Sequence, residues 1–193
     1  EHVSYYKSGQ VQMQCTEKDG ERNGECTTFL KDGTLESYCF YKNGLEHGAY
    51  EQYNEEGLIK VLGYYNEGRR VGPYRVYHLN RKLDEEVFYV NGYEEGEAKE
   101  WHSNGQLFKQ CVFKRGVLNG PCKMWYDNGQ LMQDSNFENH RLEGEYKGWA
   151  PNGQLLLECS YSNGELHGEY QEWDYEGNIS AQSVYKEGEL IIG

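Results

Sequence analysis

Apolar residues recur along this chain at fixed intervals and not in long runs. Counting positions from each multiple of 24, an aromatic ring stands at position 5 of all eight units: Tyr5, Phe29, Tyr53, Tyr77, Trp101, Trp125, Trp149 and Trp173. Position 11 is always Val, Leu or Ile, and position 17 is aromatic in every unit but the first, from Tyr41 to Tyr185. Glycine punctuates the pattern. It occupies position 9 in seven of eight units, position 20 in seven of eight, and the unit boundary at 24, 48, 72, 96, 120, 144 and 168. Segments of six to eight residues rich in Tyr, Phe, Val and Leu, bounded by such turns, predict strands.

The turns predict the register. In Trp149-Ala150-Pro151-Asn152-Gly153-Gln154-Leu155, Pro151 presets φ for a first turn corner, Asn152 suits the second, and Gly153 supplies the positive φ that follows. A three-residue loop over positions 7 to 9 then sets position 5 against position 11: Trp101 beside Leu107, Trp125 beside Leu131, Trp149 beside Leu155, Trp173 beside Ile179. Each such cross-strand pair contributes roughly 0.2–1 kcal/mol. Position 20 is expected to end a second turn of the same kind, as in Ser162-Asn163-Gly164.

Two strands per unit predict an all-β chain of about sixteen strands. They form an elongated, single-layer, twisted antiparallel meander of eight stacked 24-residue hairpins, one domain over 1–193. Aromatic residues of positions 5 and 17 are expected to run down one face. The departures are few: Arg81 stands where a turn glycine is expected, His140 does the same in the second turn of its unit, and Glu17 replaces the ring of position 17.

The motif Gly-Glu-Tyr-x-x-Trp-x-x-Asn-Gly-x-Leu, followed by Tyr-x-Asn-Gly-x-x-x-Gly, resembles the MORN repeat. It is closest to the longer variant common in bacterial and giant-virus proteins, and the likeness runs from about residue 4 to 192. The resemblance implies a ribbon of stacked β-hairpins used as a scaffold, a dimerisation module or an interaction surface. It also brings two alternatives: an antitoxin-like protein that neutralises a partner enzyme, and a phospholipid-binding adaptor.

Charge narrows the partners. With 19 basic and 32 acidic residues the net charge is −13, which disfavours nucleic acid and anionic lipid because both need a cationic face. No apolar run approaches the length of a membrane span. The chain opens at Glu1-His2 without Met, which reads as a fragment, a processed chain or one whose leader is missing.

The six cysteines follow the lattice, Cys15, Cys39, Cys111 and Cys159 at position 15, Cys26 and Cys122 at position 2. They read as small apolar fillers in a reducing, intracellular compartment, virion-associated if the source is viral, with only Cys26 and Cys39 close enough to approach.

No catalytic signature is present: no His-Glu-x-x-His, no phosphate loop, no Gly-x-Ser-x-Gly. His78 and His102 share position 6, and His47 and His167 share position 23, without a recurring third ligand. Neither cofactor nor metal is expected. Asp84-Glu85-Glu86 and Glu94-Glu95 lie beside turns as solvated charge, and the triplet Asn178-Ile179-Ser180 falls on the turn lattice. The reading is a non-enzymatic protein–protein interaction scaffold. Its candidate partner-binding ladder is Tyr53, Tyr77, Trp101, Trp125, Trp149 and Trp173. Its candidate homodimer edge is Val184, Tyr185, Leu190, Ile191 and Ile192, an apolar end that an open sheet must cover.

Overall fold

The computed structural model describes residues 1–192, with Ile192 described by its backbone alone. Among the described residues there are twenty strands and no helix, and every pairing between strands is antiparallel. The chain is an all-β meander of hairpin repeats, as expected. It divides into two compact units, Glu1–Tyr93 and Glu94–Gly193. The count exceeds sixteen because the chain leaves the ladder at position 23 of some units. Arg69–Arg70 is thereby separated from Gly72–Tyr77, and Arg141–Leu142 from Gly144–Trp149. A further short strand, Glu189–Ile192, closes the series.

The first turn is built as its residues dictate. Ala150 N donates to Gln154 O and Gly153 N to Ala150 O, and the same two bonds recur in all eight units from Tyr6 to Asn178. The bulge that follows, between positions 4 and 5, sets Trp101 opposite Leu107 and Trp149 opposite Leu155. Where position 8 is Asn or Asp, its side chain accepts the N–H two residues on, as Asn104 does from Gln106 and Asn152 from Gln154. In two units position 6 takes that duty instead. Asn54 accepts from Glu56 and Leu58, and Asp174 from Glu176 and Asn178; the Asn178 side-chain amide first, and then its backbone N–H, hold the Asp174 carboxyl below its ordinary value.

The second turn differs from the expectation. It is a two-residue turn with both central residues at positive φ, as at Asn43 (50°) and Gly44 (77°) or Asn163 (55°) and Gly164 (88°). Lys42 therefore pairs with Leu45 and Ser162 with Glu165. This primed turn matches the right-handed twist of its strands, and Asn-Gly is its preferred dipeptide. Its position 20 amide also donates to the unit before: Gly44 N to Arg22 O, Gly164 N to Leu142 O. His140 occupies that place at φ 66° and is compensated, since its amide bonds Leu118 O while its ring Nδ1 accepts the Leu118 amide. Arg81, also at φ 66°, makes through its backbone the ordinary turn bond to His78 O.

Directly opposed residues share a face, and successive residues alternate. The register thus assigns positions 2, 4, 13, 15 and 17 to one face, and 1, 3, 5, 11, 14 and 16 to the other. The aromatic residues of positions 5 and 17 do not run down one face, contrary to the expectation. The bulge leaves them on opposite sides.

The core is a row of position 2 and position 15 side chains. In the first unit of the chain Cys15, Cys26, Cys39 and Tyr50 stand opposite one another in turn, with Gly63 after Tyr50. In the second, Cys111, Cys122 and Ser135 do the same, and Tyr146, Cys159, Tyr170 and Ser183 form another run. From Tyr50 to Gly63 and from Tyr146 to Ser183 large rings alternate with small residues, while the cysteine stretches are small throughout. Each position 2 tyrosine also meets the position 17 ring of its unit edge-on, as Tyr74 meets Tyr89 with centroids 5.8 Å apart.

This row corrects the reading of the cysteines. Cys15 is bonded to Cys26 and Cys111 to Cys122, with Cα atoms 4.0 and 4.1 Å apart, while Cys39 and Cys159 are free and buried. They are pairs from neighbouring hairpins on directly opposed strands, so the pairing considered from sequence, Cys26 with Cys39, is not the one formed. Burial first, then Glu46, pushes the Cys39 thiol up to about 11, with Arg22 opposing; such a thiol is a poor nucleophile at neutral pH. The compositional argument for a reducing compartment rests on these two residues alone.

Candidate functional site

Away from the pairs of positions 5 and 11, the face opposite the cysteine row is mostly polar, with an apolar row in residues 1–93. In residues 94–193 it carries ion pairs between positions 1, 3 and 14: Lys123 with Asp134 at 2.8 Å, Lys147 with Glu158 at 2.9 Å, Lys99 with Glu97 at 2.9 Å. Position 16 on that face is small or polar there, namely Val112, Asn136, Ser160 and Val184. In residues 1–93 the same position holds Thr16 and then Phe40, Tyr64 and Phe88, the three rings exposed by 37%, 50% and 48%. Ala49 stands opposite Tyr64 and Pro73 opposite Phe88, which extends the row with apolar surface. Three exposed rings on neighbouring hairpins are what a fold does not need and a partner can use.

Beside that row lies a cavity of about 480 Å³ lined by Tyr53, Leu58, Ile59, Leu62, Tyr77 and Arg81. Its two tyrosines are rungs of the predicted ladder. Tyr53 is opposite Ile59 and Tyr77 opposite Leu83. Tyr53 donates its hydroxyl to Glu51 Oε2 on the same strand. That bond, with burial second, pushes the Tyr53 phenol up to about 12, so the ring stays protonated and acts as surface and donor, not as an acid or base.

The remaining rungs, Trp101, Trp125, Trp149 and Trp173, are half-buried on the same face of the second unit, each against its aliphatic partner. They serve the turns as well: Tyr126 donates to Trp149 O and His102 Nε2 to Trp125 O, both at 2.8 Å. The backbone carbonyl of one rung is thus held by position 6 of the unit before. His78 faces Asp84 at 3.5 Å and His102 is engaged as described, so the two do not converge. Among the described residues no group of three or more His, Cys, Asp or Glu is placed to hold a metal ion. Among the described residues no helix is long and apolar enough to cross a membrane.

At the far end Leu190 and Ile191 are exposed, while Val184 and Tyr185 are half-buried. Glu189–Ile192 pairs on one side with Ile179–Lys186, Tyr185 being opposite Leu190. The Ile192 side chain lies outside the described residues.

The family model for a MORN repeat variant matches residues 22–43, 94–115, 118–139, 142–163 and 166–187, more than half of the sequence. The chain belongs to that family. Each matched stretch starts at position 22 of one unit and ends at position 19 of the next, within the second turn, so the family's unit and the hairpin period coincide. No curated protein matches this MORN protein. MORN repeats are generally modules for binding protein or membrane lipid. The cavity and the rings Tyr64 and Phe88 fall between the matched segments 22–43 and 94–115.

Sequence reasoning placed the rungs correctly beside their partners but missed the exposed row at position 16. The available signal was parity: a ring at 16 must face away from a ring at 17 in the same strand.

Proposed function

We propose that this chain is a non-enzymatic protein-binding scaffold, and that residues 1–93 carry the contact surface on the face away from the cysteine row. The observation behind this is the outward row Phe40, Tyr64 and Phe88, which replaces the small and polar residues of the equivalent positions in the second unit. Aromatic side chains are the usual energetic anchors of a protein contact. A net charge of −13 favours a protein over an anionic bilayer as the partner. The test is a photo-crosslinking residue placed at Tyr64 or, as control, at Asn136. Crosslinks to a stoichiometric protein from Tyr64 alone support the reading. Equal crosslinking from both sites, or flotation of the protein with anionic vesicles at physiological salt, would count against it.

The apolar strand end at Leu190 and Ile191 supports a second element of the proposal, an antiparallel end-to-end homodimer through Glu189–Ile192. Light scattering is expected to give a dimer mass that Ile191→Lys halves. A monomer at high concentration removes the dimer.

A further inference from the structure

Three departures from the repeat meet at one point. Position 9 is Gly in every unit except at Arg81, position 10 is polar in every unit except at Leu58, and position 14 is aliphatic only at Leu62. The three side chains line the same cavity with Tyr53, Ile59 and Tyr77. A repeat fold can be built from its consensus, so concerted exceptions in two turns and one strand need a cause other than the fold.

The cost of one of them is visible. Arg81 sits at φ 66°, in the left-handed region where glycine is free of strain and other residues are not. His140, in the other turn, is held there by a reciprocal pair of bonds to Leu118. Arg81 has no comparable tie, and among the described residues its guanidinium forms none of the ion pairs. It is exposed, at the rim of an apolar hollow. Glu67, Arg115 and Glu187 share a positive φ in the other turn, so what sets Arg81 apart is the loss of its glycine at the rim of this cavity.

The chemistry of the occupant follows. Tyr53, Leu58, Ile59, Leu62 and Tyr77 offer walls for one large apolar side chain, and Arg81 offers a planar cation that pairs with a carboxylate in bidentate fashion. On a chain of net charge −13 a carboxylate is otherwise repelled, so the guanidinium selects as well as attracts. The hollow is open, and Leu62 also borders the neighbouring depression walled by Ala49, Glu51, Tyr64, Pro73 and Arg75. A small acid would leave that extension empty; a peptide would follow it.

We propose that this cavity is the anchor pocket for a partner polypeptide that presents a large apolar side chain next to an Asp or Glu, the carboxylate being bound by Arg81. This rests on the reading of residues 1–93 as the protein-binding surface and names the chemistry of the partner there.

The probes are the capped tetrapeptides Ac-Gly-Phe-Glu-Gly-NH2 and Ac-Gly-Phe-Gln-Gly-NH2, titrated by NMR into the full chain and into Arg81→Gly. The acidic peptide is expected to shift the resonances of Tyr53, Leu62 and Tyr77 and to bind about fivefold more tightly than the Gln peptide. In Arg81→Gly that preference disappears while the melting temperature rises by about 2–4 °C, because the turn strain is released. The rise shows that loss of the preference is not loss of fold. Equal binding of the two peptides to the wild-type chain, or shifts away from the pocket, overturns the proposal. So does binding of 2-naphthoate at this site with no binding of either peptide, which would make it a small-acid pocket. If crosslinking at Tyr64 persists while the acidic preference is absent, the anchor pocket fails and the protein-binding surface stands. If crosslinking also fails, both fall.

Discussion

Gly63→Leu is expected to destabilise the protein by about 2–3 kcal/mol. A Cβ at Gly63 would lie 2.7 Å from Tyr74 Cδ2 and 3.1 Å from Cε2. The ring cannot swing aside cheaply. The Arg70 guanidinium sits 4.3 Å from its centroid and 5.4 Å from that of Tyr89, and Tyr89 holds the ring edge-on. Gly63 has no positive φ, so the cost is steric and not conformational. Gly148 is the control. It too lacks a positive φ, but a Cβ there would meet nothing closer than 3.8 Å, so Gly148→Ala is expected to be neutral or slightly stabilising. Chemical denaturation of the two variants checks both. Equal midpoints would show that the Tyr74 ring does not depend on the gap opposite it.

Removing the two bridges is expected to cost about 3 kcal/mol for each, the value for closing a short loop in the unfolded chain. Cys15 and Cys26, like Cys111 and Cys122, are separated by 11 residues. The replacement Cys15→Ser with Cys26→Ser should lower the denaturation midpoint, and a reductant should do the same to the parent but not to the variant lacking all four bonded cysteines. The comparison isolates the bonds, because Cys39 and Cys159 remain in every protein measured. A midpoint unchanged by reductant would assign these cysteines to packing alone.

How much of this was legible depends on which turn is considered. The first turn carries its own chemistry in Pro151-Asn152-Gly153, so its loop length, and with it the pairing of Trp149 with Leu155, follows from the residues. Asn43-Gly44 and Asn163-Gly164 carried an equally direct signal for a two-residue turn, but the regular spacing of glycines made both turns look alike. Even the right turn would not have located the bridges. Lys18 pairs with Glu21 and Glu17 with Arg22, and a regular ladder would continue to Cys15 with Gly24. The interruption before the next pair moves the partner to Cys26, two residues further on, and nothing in the side chains there announces it. The candidate site was half legible. Tyr53 and Tyr77 were singled out as rungs, whereas Leu58, Leu62 and Arg81 matter through their meeting, which only folding brings about.

The amide of position 20 that reaches back to position 22 of the preceding unit has a consequence for how such a chain can change length. Gly68 N binds Glu46 O as Gly44 N binds Arg22 O, and Tyr126 and Asn128 reach forward from the opposite margin to Trp149 O and Pro151 O. Both margins are therefore keyed to the same interval. A duplication or excision of 24 residues hands every donor an equivalent acceptor, whereas any other length puts the two margins out of phase together. Growth by whole copies is in that sense written into the backbone, and a single copy is then free to diverge, as the one ending its first turn at Arg81 has done.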